Sequence, residues 1–202
     1  MNGMTTLSNL TIKHVPFYFI RHGEIDWNVQ KRIMGQIDIP LNDRGREQTH
    51  CLAPIIKKLN IKAIACSPLI RAKETAEIIN QYISVPIYEN NNLKEKNSGT
   101  LQGLSYKLGE TKRDEILDEW EGEVIPEGAE DWENFNQRTI KAINECLELP
   151  SPLLIIAHGG SYRAISLALT GNIREIPNCT PIYFEPSKND NSWRITSIAP
   201  VG

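Results

Sequence analysis

The stretch Phe17–Asn28, FYFIRHGEIDWN, begins as an apolar and aromatic run and becomes polar at Arg21 and His22. A run of this kind is typical of a strand that ends where the polar residues begin. The same order recurs at Leu153–Gly160, LLIIAHGG, where an apolar run ends at His158. Because both runs are apolar throughout, each is expected to be buried on both faces, as in a parallel sheet covered by helices.

Further apolar runs alternate with helix-period segments, and this order predicts an α/β fold. We expect a three-layer αβα sandwich with a mostly parallel central sheet and helices on both faces. Ser67 and Pro68 fit the N-cap and first position of a helix. The predicted strands are Val15–Ile20, Ala63–Cys66, Val85–Tyr88, Leu153–Ala157, Pro181–Phe184 and a final, antiparallel Trp193–Ile198. The predicted helices are Asp43–Leu59, Pro68–Tyr82, Ala129–Leu149 and Ser161–Leu169.

Length and hydropathy set broad limits on the kind of protein. A chain of 202 residues can bury roughly 70% of its surface as one domain. Residues 1–14 are polar and lack the apolar run of a secretory signal, so we expect a flexible tail there and a single domain over 15–202. No stretch approaches the ~20 apolar residues of a membrane span, which predicts a cytoplasmic protein that does not bind membranes.

Charge and cysteine content narrow the expected partners. The net charge is −3 and the basic residues form no stripe of the kind that binds nucleic acid. We therefore expect a small solute as the ligand instead of nucleic acid. The sequence is compatible with a monomer and with a homodimer. The cysteines are far apart, with no C-x-x-C pair and no nearby histidine to complete a zinc site, so we expect reduced thiols. They are Cys51, Cys66, Cys146 and Cys179.

Three polar clusters follow predicted strands, at the edge where parallel sheets bind their ligands. Arg21 and His22 follow the first strand, Arg71 lies in the first turn of the helix after the second, and His158 follows the fourth. A neutral imidazole can accept a phosphoryl group, and guanidinium groups match phosphoryl oxygens. Taken alone, each residue is more often structural or solvated than functional. Together they indicate an anion pocket around His22.

Phosphoryl transfer also needs a proton donor for the leaving oxygen. Glu95 is a candidate, because it lies in the loop LKEKNSGTLQG shortly after the predicted strand Val85–Tyr88. On chemistry alone Glu89, Glu110 and Glu115 qualify equally, since most glutamates in polar loops are solvated.

The motifs RHGEIDWN, GQIDIPLNDRGREQ, SPLIRAKETA, LKEKNSGTLQG and AHGGSYRA resemble, in order and spacing, those of the histidine phosphatase superfamily, also called the phosphoglycerate mutase-like family. The resemblance runs from about Phe17 to Leu169. It implies that His22 attacks the phosphoryl group and that Glu95 protonates the leaving oxygen. Three further residues are implied to bind the phosphoryl oxygens: Arg21, Arg71 and His158.

The resemblance also implies substrate contacts, and it implies that the reaction uses no metal ion and no cofactor, because arginine and histidine supply the positive charge. The implied substrate contacts are Asn28, Gly35 and the backbone of Gly159. Aromatic residues are candidates for an apolar wall of the substrate pocket, although such residues are more often core. They are Tyr106, Trp120 and Trp132.

Within the family the resemblance favours a phosphatase. Mutases of the family usually carry a longer insert with paired arginines, whereas the segment 114–133 of this chain, DEILDEWEGEVIPEGAEDWE, is acidic. Mutases also typically have His-Gly-Asn where this chain has a histidine followed by Gly159-Gly160. We therefore expect hydrolysis of a small phosphorylated metabolite through a phosphohistidine on His22. The alternatives are a 2,3-bisphosphoglycerate-dependent phosphoglycerate mutase and, in another class, a non-catalytic domain that binds a phosphorylated ligand.

Overall fold

The computed structural model of the chain describes residues 11–105 and 125–198. Within these ranges the strands are β1 (Phe17–Arg21), β2 (Ala63–Cys66), β3 (Ile87–Glu89), β4 (Leu153–Ala157), β5 (Pro181–Pro186) and β6 (Trp193–Ser197). The helices are α1 (Asp26–Val29), α2 (Asp43–Lys57), α3 (Ile70–Ile83), α4 (Trp132–Cys146) and α5 (Gly159–Thr170), with 3-10 turns at Asn91–Leu93 and Gly99–Leu101. No helix in these two ranges is long and apolar enough to cross a membrane.

The six strands form one sheet in the order β3-β2-β4-β1-β5-β6. The strands β1 to β4 run parallel, whereas β5 is antiparallel to β1 and β6 is antiparallel to β5. The predicted, mostly parallel sheet with an antiparallel last strand is confirmed. Because β5 runs opposite to β1, it begins at the edge of the sheet where β1 ends, and Ile20 pairs with Pro181. The loop before β5 therefore lies at the carboxyl edge of the parallel strands.

Alternate side chains of the strands build two hydrophobic cores, one on each face of the sheet. On β4, Leu153 and Ile155 pack with residues of α4 and α5, whereas Leu154 and Ile156 pack with residues of α2 and α3. All five residues of β4 are buried. A strand covered on both faces needs apolar residues at every position, which explains the continuous run LLIIA. The three-layer αβα architecture is confirmed.

The predicted start of the helix after β2 is wrong. This helix begins at Ile70 with Leu69 as its N-cap residue, so Ser67 and Pro68 precede it. The Ser67 hydroxyl accepts the Leu69 N–H at 3.3 Å and pairs with Nε2 of His158 at 2.8 Å. The hydroxyl is thus engaged in a buried contact between strand ends, and the chain turns once more before the helix starts.

Residues 11–14, expected to belong to a flexible tail, instead pack against the fold. Ile12 is 5% exposed and lies in the core shared by α4 and α5. Asn144 of α4 binds the backbone on both sides of it, accepting from the Lys13 N–H and donating to the Thr11 carbonyl, each at 2.8 Å. An apolar side chain with matched backbone partners is enough to order this segment. Residues 1–10 lie outside the described ranges.

Candidate active site

The carboxyl ends of β1, β4 and β2 meet at one edge of the sheet. The His22 N–H donates to the Ala157 carbonyl at 3.0 Å, and the Ser67 N–H donates to the Ile156 carbonyl at 3.1 Å. His158 directly follows Ala157, and its ring centroid lies 5.3 Å from that of His22. The sheet therefore brings the residues after three strands into one site.

The His22 ring is held in a defined orientation. Its Nδ1 lies 2.7 Å from the Gly23 carbonyl oxygen, an acceptor, so Nδ1 carries the proton and Nε2 keeps its lone pair. The side chain is 2% exposed. Burial, followed by the charges of Arg71 and Arg21, lowers the pKa of His22 well below its usual value. His22 is therefore a neutral imidazole at pH 7, with Nε2 available as a nucleophile.

Two helices fix the loop that follows His22. The Gly23 N–H donates to Oγ1 of Thr75 on α3 at 3.0 Å. On α2, a Cβ at Gly45 would lie 2.1 Å from the Glu24 carbonyl oxygen, so only glycine lets this helix approach the loop. Gly45 and Thr75 lie in the motifs GQIDIPLNDRGREQ and SPLIRAKETA. Uncharged residues of these motifs thus hold the backbone that directly follows His22.

Arg71 is fully buried at the start of α3. Its guanidinium donates to the carbonyls of Gly35 at 2.8 Å and Ile37 at 2.9 Å, while Nε has no hydrogen-bond partner among the described residues. Burial lowers its pKa to about 10, so the group remains cationic at pH 7. Gly35, expected to contact substrate, has φ of +51° and aims its carbonyl at Arg71. Its observed contact is therefore with the arginine.

His158 is buried and its tautomer is set by Ser67. The Ser67 hydroxyl accepts the Leu69 N–H, and its other hydrogen bond among the described residues is to Nε2 of His158, 2.8 Å away, so we assign its proton to that contact. This arrangement places the imidazole proton on Nδ1, which has no partner among the described residues. Burial and then Arg71 lower the pKa of His158 well below its usual value. His158 is thus a neutral ring that can donate one hydrogen bond from Nδ1.

Arg21 extends from the end of β1 into the cavity at this edge of the sheet. One guanidinium nitrogen donates to the Ile176 carbonyl at 2.8 Å. A Cβ at Gly159 would lie 3.6 Å from the Arg21 guanidinium carbon. Gly159 therefore lies against the guanidinium, and it lines the same cavity.

Glu95 lies against the N-terminus of α5. Its Oε2 accepts the Gly160 N–H at 3.1 Å and its Oε1 accepts the Lys96 N–H at 2.9 Å. A Cβ at Gly160 would lie 2.1 Å from Oε1, so a glycine is required there for this position of the carboxyl group. Of the other candidates, Glu89 is exposed and pairs with Lys73 at 2.9 Å. Glu110 and Glu115 lie outside the described residues.

The cavity at this edge has a volume of about 160 Å³. Trp132 lines it, and Lys96 Nζ and the Arg163 guanidinium carbon each lie 4.9 Å from the centre of a Trp132 ring. The other two aromatic candidates, at positions 106 and 120, fall outside the described residues. Within residues 11–105 and 125–198, no three His, Cys, Asp or Glu side chains are grouped as around a metal ion.

Asn178, which the sequence analysis did not identify, lies beside the nucleophile. Its Nδ2 donates to the His22 carbonyl at 2.8 Å and lies 3.3 Å from both the Gly23 carbonyl and Oδ1 of Asn28. Asn28, expected to contact substrate, uses Oδ1 to accept the Ile25 N–H at the start of α1. The sequence signal for Asn178 is weak, because it depends on knowing that β5 runs antiparallel to β1.

Comparison with known families and proteins identifies the family of this chain. The family model of the histidine phosphatase superfamily (branch 1) matches residues 17–183. The uncharacterized phosphatase PhoE of Bacillus subtilis (strain 168) is 33% identical over 159 residues, covering 78% of this chain and 78% of that protein. The probable phosphoglycerate mutase GpmB of Yersinia pestis (strain Pestoides F) is 34% identical over 160 residues, covering 76% of this chain and 74% of the relative.

Solved structures share the fold. YhfR of Bacillus stearothermophilus superposes with a TM-score of 0.79 at 23% identity, over 90% of this chain and 95% of that one. A mycobacterial glucosyl-3-phosphoglycerate phosphatase in complex with VO3 gives a TM-score of 0.78 at 23% identity, over 91% of this chain and 97% of that one. With the family model matching from β1 into β5, the chain belongs to the histidine phosphatase superfamily.

Proposed function

We propose that this protein hydrolyses a small phosphomonoester through a phosphohistidine on His22, without a metal ion or cofactor, in the cytoplasm. The observation that carries the proposal is the state of His22, a buried neutral imidazole whose Nδ1–H is bound to Gly23 and whose Nε2 is left as the nucleophile. Two buried or half-buried arginines beside it supply positive charge for a phosphoryl group.

In the first step Nε2 of His22 bonds to phosphorus while the bond from phosphorus to the leaving oxygen breaks. Glu95, in its protonated form, gives its proton to that oxygen, so the product leaves as a neutral alcohol. Arg21 and Arg71 bind the phosphoryl oxygens, and the Nδ1–H of His158 donates to them. This assignment is supported by the arginine charges that act on His22 and by the unpartnered Nδ1.

In the second step the Glu95 carboxylate takes a proton from a water molecule whose oxygen bonds to phosphorus. The bond from phosphorus to Nε2 of His22 breaks, inorganic phosphate leaves and Glu95 is again protonated. The same carboxyl group therefore acts first as acid and then as base. The position of Glu95 in the cavity that also contains Arg21 supports this double role. A domain that only binds a phosphorylated ligand has no need for that carboxyl group.

Water is the proposed acceptor, although a relative is named a probable phosphoglycerate mutase. Gly160 supports hydrolysis by resemblance, because the mutases of the family typically have asparagine at this position. The acidic residues of the segment 114–133 also disfavour a substrate with several negative charges. Mutase activity remains the second candidate on the strength of that relative.

The first prediction concerns the acceptor and the metal requirement. With EDTA present, the purified protein should release inorganic phosphate from members of a panel of small phosphomonoesters. It should not interconvert 2- and 3-phosphoglycerate at a comparable rate when primed with 2,3-bisphosphoglycerate. Isomerisation without phosphate release would assign a mutase, and turnover in neither assay would assign a binding domain.

The second prediction concerns the nucleophile. His22→Ala should abolish the acid-labile, base-stable phosphoenzyme and reduce turnover to the background level, because no other imidazole of the site presents Nε2. His50→Ala is the matched control, since His50 is exposed on α2. Rapid acid-free quenching with labelled substrate measures the phosphoenzyme. Wild-type turnover in His22→Ala contradicts the mechanism.

The third prediction concerns the proton donor. Glu95→Gln should lower kcat/KM for alkyl phosphates by roughly 10²- to 10⁴-fold, with a much smaller loss for p-nitrophenyl phosphate, whose leaving group needs no proton. We compare kcat/KM because it covers only the steps up to phosphoenzyme formation, and so excludes the second step, in which Glu95 acts as base. Glu89→Gln is the control, because Glu89 is exposed and pairs with Lys73. Steady-state rates across leaving groups of graded basicity measure the effect. An equal loss with every leaving group would reject the donor role.

The fourth prediction concerns stability against pH. The folded-state pKa values of His22 and His158 are lowered, so below about pH 6.5 the unfolded chain binds protons that the folded chain does not. The free energy of unfolding should therefore fall as pH drops below about 6.5, by up to about 1.4 kcal/mol per pH unit for each histidine. Urea unfolding of His22→Gln and His158→Gln should show a shallower dependence. His50→Gln should match the parent, and an unchanged slope in both site variants would contradict the lowered pKa values.

A further inference from the structure

Arg138 on α4 uses every hydrogen-bond donor of its guanidinium group. Nε and one terminal nitrogen donate to the two carboxylate oxygens of Glu130, at 2.5 and 2.7 Å. The remaining hydrogens reach the main-chain carbonyls of Asn92 and Lys94, both at 2.8 Å, and of Glu95 at 3.1 Å. A guanidinium has five N–H donors, and all are engaged here in a planar arrangement that lysine cannot reproduce.

These contacts join three parts of the chain around the Glu95 backbone. The carbonyls of Asn92, Lys94 and Glu95 belong to the loop that follows β3, whereas Glu130 precedes α4. The N–H of Glu130 also donates to the Asn97 carbonyl at 2.9 Å, which joins the segment before α4 to the same loop. Arg138 and Glu130 are half-buried, with side chains 21% and 17% exposed, so this pair is less screened by water than a surface pair.

The Arg138 contacts fix the backbone of Glu95, and a second set of contacts fixes its carboxyl group. The Arg138 guanidinium carbon lies 4.9 Å from the centre of the Phe135 ring. That ring lies 3.0 Å from the Cβ position of Gly160, whose N–H binds the Glu95 carboxyl group at 3.1 Å. The Glu95 side chain thus spans from a backbone held by α4 to a donor on α5. A shift of the backbone would move the carboxyl group off that donor.

We propose that Arg138, supported by Glu130, is the positioning residue that holds the Glu95 carboxyl group at the distance from the leaving oxygen that proton transfer requires. The inference rests on the proposed role of Glu95 as proton donor. Arg138 binds the Glu95 carbonyl and no atom of the carboxyl group, so it acts through the backbone. Its loss should impair the protonation step and leave attack by His22 intact.

The test compares leaving-group dependence in Arg138→Met and Arg138→Lys with that of the parent. Because a misplacement of about 1 Å can cost roughly 10²-fold, kcat/KM for alkyl phosphates should fall about 10- to 100-fold, with kcat/KM for p-nitrophenyl phosphate nearly unaffected. In the double variant Glu95→Gln/Arg138→Met, the loss of activity on alkyl phosphates relative to p-nitrophenyl phosphate should equal the loss in Glu95→Gln alone. Arg44→Met is the control, because Arg44 pairs with Glu47 on the exposed face of α2.

A merely structural role would slow all substrates alike and add to the effect of Glu95→Gln, and that outcome overturns the inference. Phosphoenzyme formation from p-nitrophenyl phosphate checks that the His22 site of each variant is folded. If Arg138→Met does not fold, Glu130→Gln keeps the shape of the partner and should give a smaller loss of the same selectivity. If Glu95→Gln itself shows no selectivity, the donor assignment has failed. If Glu95→Gln loses activity selectively on alkyl phosphates and the Arg138 and Glu130 variants do not, only the positioning role is rejected and the donor role of Glu95 stands.

Discussion

The hydrogen bond from Nδ1 of His22 to the Gly23 carbonyl is the interaction on which the site depends. It decides which imidazole nitrogen faces the ligand, and the rest of the structure holds its acceptor in place. Thr75 binds the N–H of Gly23, Gly45 lets α2 close against the following residue, and Asn178 binds the adjacent carbonyl of His22. Residues from three distant parts of the chain therefore serve one ring orientation.

The second constraint is the buried positive charge of Arg71, which the fold stabilises with main-chain carbonyl groups. Arg71 is fully buried, and among the described residues its guanidinium donates to the main-chain carbonyls of Gly35 and Ile37 and to no carboxylate. Carbonyl dipoles offset part of the desolvation cost of the guanidinium and leave its net charge in place. Burial, followed by that charge, lowers the pKa values of the neighbouring imidazoles of His22 and His158 and keeps both rings neutral. One arrangement thus provides both an attraction for anions and an uncharged imidazole beside it.

Much of this could be predicted from the sequence, because continuous apolar runs such as LLIIA identify strands covered on both faces and their ends identify the ligand edge. Ser67 was placed wrongly, since the rules for helix caps are local and its hydroxyl pairs with a histidine far along the chain. Asn178 and Arg138 were missed for a related reason. Each acts on the backbone of a distant segment, and neither has a local pattern that distinguishes it from a solvated side chain.

The antiparallel direction of β5 also determines when the site around His22 is completed during synthesis of the chain. The loop before β5 supplies the Ile176 carbonyl to Arg21 and Asn178 to the backbone of His22, although both partners were made more than a hundred residues earlier. A nascent chain that has emerged only through α5 contains His22, Arg71, Glu95 and His158 but lacks these contacts. The backbone of His22 therefore lacks the Asn178 contact until the C-terminal strands leave the ribosome and dock, so the site is completed only at the last stage of folding.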